Sequence, residues 1–194
     1  MKVLVLSGSI GKSSCTRTLL EYLAELLQKK DIETVFWDMG EQPLPIAVPE
    51  YYLQPAANPN KTVGRFVKEV GSADAYILGS PLYHGSYSGV LKNALDNLSP
   101  NAFLNKPVGL VSHSSNARSC VKPSTDLRPI VSSLGGYPTQ IQLGTTDTDY
   151  SYDADRDCFV LADPKGIHRC DELVDELLDL ARLLKGRTNS KSGS

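Results

Sequence analysis

Ala75-Tyr-Ile-Leu-Gly-Ser-Pro-Leu-Tyr-His-Gly-Ser-Tyr-Ser-Gly-Val-Leu-Lys-Asn-Ala-Leu-Asp-Asn-Leu98 is a strand, a loop and a helix in one run. Ala75 to Leu78 is a short apolar segment closed off by Asp74 and Gly79, the pattern of a buried strand. Val90, Leu91, Ala94, Leu95 and Leu98 then recur at helical spacing. The loop between them sits beyond the carboxyl end of a strand, where open α/β sheets bind ligands. Pro81 fixes one backbone angle and Gly85 frees another. Tyr83 and Tyr87 offer flat faces with polar tips. Such a loop suits a flat, polar-edged ring better than a metal or a nucleophile, although a tight turn with two packing tyrosines has the same composition. With no carboxylate positioned near it in sequence, His84 reads as a turn residue.

Working outward, the strand-helix alternation repeats. Lys2 to Ser7 and Ile32 to Asp38 are strands, and Leu19, Leu20, Leu23, Leu26 and Leu27 mark an amphipathic helix between them. Residues 39–59 carry Pro43, Pro45, Pro49, Pro55 and Pro59 and form a long irregular excursion of the kind used for function or an interface. Val63, Phe66, Val67 and Val70 make a short helix, with Gly71 as its expected C-terminal cap. Pro107 to His113 is a fourth strand. The helix after it contains Pro129 and ends at Gly135-Gly136, and Thr139 to Leu143 is a fifth strand. Residues 144–163 show no clear period and read as a loop or a short edge strand. Asp163-Pro164 is an N-cap followed by proline at the first helical position. Leu173, Leu177, Leu180 and Leu184 outline the last helix. Residues 1–186 read as one domain and residues 187–194 as a disordered tail. The fold expected is α/β: a five-stranded parallel sheet in the order 2-1-3-4-5 with helices on both faces. That order gathers the loops after the first, third and fourth strands around one crevice.

The 194 residues carry a net charge of −2, which favours neither nucleic acid nor an acidic membrane surface. No apolar run is long enough to cross a bilayer. The N-terminal apolar run is too short for a signal peptide. Cys15, Cys120, Cys158 and Cys170 are widely spaced, the usage of free thiols in a cytoplasmic protein. Cys15, near a helix start, is a candidate for a lowered pKa, but the sequence shows no partner for a cysteine nucleophile. Asp153, Asp155 and Asp157 alternate as in a calcium loop, yet Cys158 replaces the required glycine and the distal glutamate is missing, so a solvated acidic loop is expected and no metal site.

The first loop, Gly8-Ser-Ile-Gly-Lys-Ser-Ser-Cys-Thr-Arg-Thr18, collects hydroxyls and two cations at a helix N-terminus, where backbone N–H groups and the helix dipole favour an anion. Leu6 stands where a Walker A motif needs glycine, and Gly8-x-x-Gly11 is not a dinucleotide fingerprint. A phosphate monoester fits best; the alternative is a Ser-capped helix start that binds nothing. In the fourth loop, Ser112, His113, Ser114 and Ser115 are small and polar and lie on the same crevice.

Taken together, Gly8 to Leu20 resembles the phosphate loop of the NAD(P)H-dependent FMN reductases, a flavodoxin-like family. Ser80-Pro-Leu-Tyr-His to Asp96 is similar to that family's flavin-ring loop, and Leu127 to Leu134 to its proline-containing fourth helix. Within the family the motifs look nearest to the reductases of alkanesulfonate systems. The resemblance implies noncovalent FMN. Its phosphate would be held by Ser9, Ser14 and Thr16, with Lys12, Cys15 and Arg17 in the same loop. Pro81, Leu82, Tyr83, His84 and Gly85 would border the ring, and Ser112, His113 and Ser114 would close the other side. Gly11 stands where the family carries arginine, so the charge would come from Lys12 or Arg17. Tyr87 and Arg118 are candidates for NADPH. The activity implied is hydride transfer from NADPH to FMN, followed by delivery to an acceptor such as a quinone, an azo compound or a metal ion. The cofactor carries the chemistry, so no catalytic side chain is expected. The resemblance further implies a homodimer or homotetramer. The rivals are an electron-carrier flavodoxin, against which the weak net charge argues, and a binding module for another phosphorylated ligand.

Overall fold

A computed structural model describes residues 1–191, with side chains through Lys185. Five parallel strands form the centre: β1 (Lys2–Ser7), β2 (Glu33–Asp38), β3 (Ala75–Pro81), β4 (Pro107–His113) and β5 (Tyr137–Thr145). Their order is β2-β1-β3-β4-β5. The order follows from burial: every residue of β3 is buried, and β1 is buried from Val3 onward, as central strands covered on both faces must be.

The helices are α1 (Cys15–Lys29), α2 (Lys61–Ser72), α3 (Gly89–Asp96), α4 (Lys122–Ser133) and α5 (Pro164–Lys191). Each face of the sheet has its own core. Leu4, Leu6, Tyr76, Leu78, Val108 and Leu110 meet the apolar stripes of α2, α3 and α4. Val3, Val5, Ile77 and Val111 meet α1 and α5. The alternation of those strand residues between two cores is the period-2 geometry of a pleated strand.

Three details differ from expectation. The helix α2 passes Gly71 and ends at Ser72, with Ala73 in extended conformation as its cap; the chain turns into β3 without a left-handed residue. Residues 144–163 are more than a loop. After β5, a 3₁₀ turn at Asp147–Asp149 leads into an antiparallel hairpin, β6 (Tyr150–Asp153) and β7 (Cys158–Leu161), outside the main sheet. The acidic run forms its tip, with Asp153 accepting hydrogen bonds from the amides of Asp155 and Arg156. Finally, α5 continues through Lys191, beyond the expected end at 186; residues 192–194 of the expected tail lie outside the described residues. Asp163 does cap α5, accepting from the Gly166 amide at 2.7 Å.

Candidate functional site

The ends of β1, β3 and β4 converge because two serines join them. Ser88, the N-cap of α3, accepts from the Leu91 amide and donates its hydroxyl to the Gly8 carbonyl at 2.6 Å. The Ser88 amide donates to Ser80 Oγ at 2.8 Å. Gly8 in turn donates its amide to the Gly79 carbonyl at 2.8 Å. A Cβ on Gly8 would lie 2.8 Å from Leu91 Cβ and 2.9 Å from the Gly79 oxygen. Only glycine lets the first loop lie this close to the third. The Leu82 amide completes the ring of contacts by donating to the His113 carbonyl at 2.9 Å.

The result is a cleft of about 370 Å³. It is lined by Ser9, Ser14, Cys15, Thr16, Pro81, Leu82, Tyr83, His113, Ser114 and Ser115 from the sequence-derived set, together with Gly11, Ser13, Asp147 and Phe159. Its floor is the N-terminus of α1. Ser14 caps that helix by accepting from the Arg17 amide at 3.3 Å, while the amides of Cys15 and Thr16, in the first turn, have no intrahelical partner. Thr16 Oγ1 is buried and has no hydrogen-bond partner among the described residues. An orphaned buried hydroxyl beside free helix amides is what a phosphate oxygen would satisfy. The FMN phosphate therefore fits the residues present.

Seven of the sequence-derived residues do not line the cleft. Arg17 is turned away into ion pairs with Asp38 at 2.8 Å and Glu21 at 2.9 Å. Lys12 is exposed. His84 and Gly85 are the two central residues of a tight hairpin turn, with φ of 47° and 85°. The Tyr83 and Ser86 backbones bond to each other across it, the pattern of a type I′ turn. The Leu82 amide is taken by the His113 carbonyl and the Tyr83 amide by that of Ser86, so neither is free for a ring edge. Ser112 is fully buried, donating to the Cys120 carbonyl and accepting from Ser124 Oγ. Tyr87 packs against the core on the α3 side. Arg118 is exposed on the fourth loop.

Asp147 and Phe159 reach the cleft from the turn after β5 and from β7. His113 Nε2 lies 3.1 Å from Asp147 Oδ1 and its Nδ1 3.2 Å from Thr145 Oγ1. Burial pulls the His113 pKa below its ordinary value, and Asp147 works against that shift. Burial and the charge of Asp147 push the Cys15 thiol up, the opposite of the expected lowering.

A family model, NADPH-dependent FMN reductase, matches residues 1–146. The chain belongs to that family. An FMN-dependent NADPH-azoreductase of Staphylococcus saprophyticus is 36% identical over 185 residues, covering 94% of this chain and 96% of that protein. One from Staphylococcus aureus (strain USA300) is 40% identical over 156 residues, covering 80% and 82%. These relatives do not show the expected nearness to alkanesulfonate-system reductases. Among solved structures, the NAD(P)H:(acceptor) oxidoreductase FerB of Paracoccus denitrificans superposes with a TM-score of 0.74 at 21% identity, over 93% of this chain and 97% of that one. A flavodoxin-like WrbA-type protein from Agrobacterium tumefaciens superposes at 0.61 and 14% identity, over 94% and 97%; both likenesses concern the fold. As a member of the NADPH-dependent FMN reductases the chain is an oxidoreductase that uses FMN and NADPH. No helix among the described residues is long and apolar enough to cross a membrane.

Proposed function

We propose that this FMN reductase passes its electrons to azo compounds, holding FMN in the cleft above α1. What carries the reading is the meeting, in one cleft, of an unpaired buried hydroxyl at a helix N-terminus, Thr16, with the Pro81–Leu82–Tyr83 wall. The names of the two staphylococcal relatives support the azo acceptor. Nearness to the alkanesulfonate-system enzymes has no comparable support.

When bound, FMN supplies the redox chemistry, accepting a hydride from NADPH and handing electrons on. The protein binds and orients. The amides of Cys15 and Thr16 and the hydroxyls of Ser9, Ser13 and Thr16 take the phosphate. Buried Pro81 and half-buried Leu82 fix one wall of the ring site. Tyr83, 49% exposed, leaves an aromatic face at the mouth on which a planar acceptor stacks. His113, 3.1 Å from Asp147, is held in place at the edge of the ring site.

Exposed Ile46 and Leu53, 80% and 76% accessible, lie in the proline-rich 39–59 excursion and support a homodimer. The test of function is anaerobic decolorisation of an azo dye by the protein with FMN and NADPH. Dye loss that needs both cofactors supports the reading. NADPH oxidation by way of free flavin, with the dye untouched, would leave an FMN reductase without azo activity.

A further inference from the structure

We propose that Cys15, His113 and Asp147 form a binding site for a zinc-class divalent cation at the edge of the cofactor cleft. The three residues are far apart in sequence and are brought together by three different elements: the first position of α1, the last of β4 and the turn after β5. The thiol sulfur, an imidazole nitrogen and a carboxylate oxygen all lie within 4.8 Å of one another. Zinc–ligand bonds of about 2.0–2.3 Å at tetrahedral angles put ligand atoms about 3.3–3.7 Å apart. The imidazole–carboxylate pair is already at 3.1 Å. Reaching that geometry opens this pair by a few tenths of an ångström and moves the sulfur by no more than about 1.5 Å, within reach of side-chain rotation.

A second observation is the way His113 is held. Its Nδ1 rests on Thr145 Oγ1 at 3.2 Å, and that hydroxyl is itself bonded to Tyr150 at 2.9 Å. The Tyr150 ring packs edge-on at 5.5 Å. This is the outer-shell support that fixes a ligating imidazole and leaves its other nitrogen to the metal. A third is charge. Among the described residues no lysine or arginine lines the cleft, so His113 is the one side chain there that can offset the Asp147 carboxylate. A thiolate and a carboxylate together match a dication.

A thiolate–imidazole–carboxylate set selects zinc or cobalt over magnesium or calcium, which take oxygen ligands. Binding displaces the Cys15 proton to solvent and involves no electron transfer. Three protein ligands leave the fourth position open on the cleft side, for water or an anionic oxygen. The site shares Cys15 and His113 with the cofactor cleft, but its test needs only the flavin-free protein.

The test is titration of the full chain, free of flavin, with Co²⁺, followed by displacement with Zn²⁺. The expected result is a sulfur-to-cobalt charge-transfer band saturating at one equivalent, lost in Cys15→Ser and kept in Cys158→Ser. Asp147→Asn should weaken the affinity about tenfold. A wild-type protein with no such band, or a band that survives Cys15→Ser, would overturn the site. FMN titrated into the same preparations separates this failure from any failure of the cofactor site.

Discussion

The Thr16 hydroxyl has no partner among the described residues, and that makes an unusual prediction possible at the scale of one residue. Thr16→Val keeps the shape and removes the orphan, so the flavin-free protein should unfold at the same temperature or higher, by up to about 1 kcal/mol. The same change should weaken FMN binding about tenfold, or about 1.4 kcal/mol, as read by quenching of flavin fluorescence. Loss of stability without loss of affinity would show that Thr16 serves the core. His113 gives a second prediction. Its pKa lies below 6.5 in the folded protein, through burial first, so the folded state binds fewer protons than the unfolded one just below that value. The stability it contributes is complete above about pH 6.5 and falls as the pH drops from there through the lowered pKa. Thermal unfolding of wild type and His113→Asn should therefore draw together on acidification from pH 7.5 to 5; parallel profiles would contradict the shift. Thr16 and its neighbours were legible in the sequence because a run of hydroxyls at a helix start is a local signal. The role of Arg17 is not legible there, because its partner Asp38 ends β2 and only the packing of α1 beside β2 brings the two together.

At the scale of elements, the site depends on how two loops are fastened. Ser88 caps α3 and holds the Gly8 carbonyl. Ser88→Ala should cost about 1–2 kcal/mol in chemical denaturation and loosen FMN binding with it. An effect on stability alone would mean that the first loop keeps its position without the tie. The turn at His84-Gly85 is a different kind of element, a hairpin whose first central residue has φ of 47°. Asparagine suits that conformation better. His84→Asn should raise stability by about 0.5 kcal/mol and leave NADPH oxidation intact, whereas a fall in turnover would mean that the imidazole takes part. The central parallel strands could be read because β1 and β3 carry continuous apolar runs, Val3–Leu6 and Ala75–Leu78. The β6–β7 hairpin could not: its two strands are four residues each, β6 mixes tyrosine with serine and aspartate while β7 is a short apolar run, and β7 takes its place by packing against α1. Asp147 and Phe159 were invisible for the same reason. Neither sits in a motif, and both reach the cleft only through the hairpin's tertiary position.

At the scale of the whole molecule, one sheet order brings three strand ends together, and the N-terminus of α1 turns its free amides toward the crevice they form. The exposed apolar side chains of the 39–59 excursion predict self-association. Light scattering should report a dimer, and Leu53→Asp should shift it toward the 21.1 kDa monomer; a wild-type monomer would remove that part of the account. The central claim, that the cleft above α1 is where this reductase holds its flavin, is tested most directly by a crystal structure of the FMN complex. The account predicts the phosphate on the Cys15 and Thr16 amides with the Thr16 hydroxyl bonded to it, and the ring against Pro81, Leu82 and Tyr83. Flavin bound elsewhere, or a phosphate that leaves Thr16 unpaired, would contradict it.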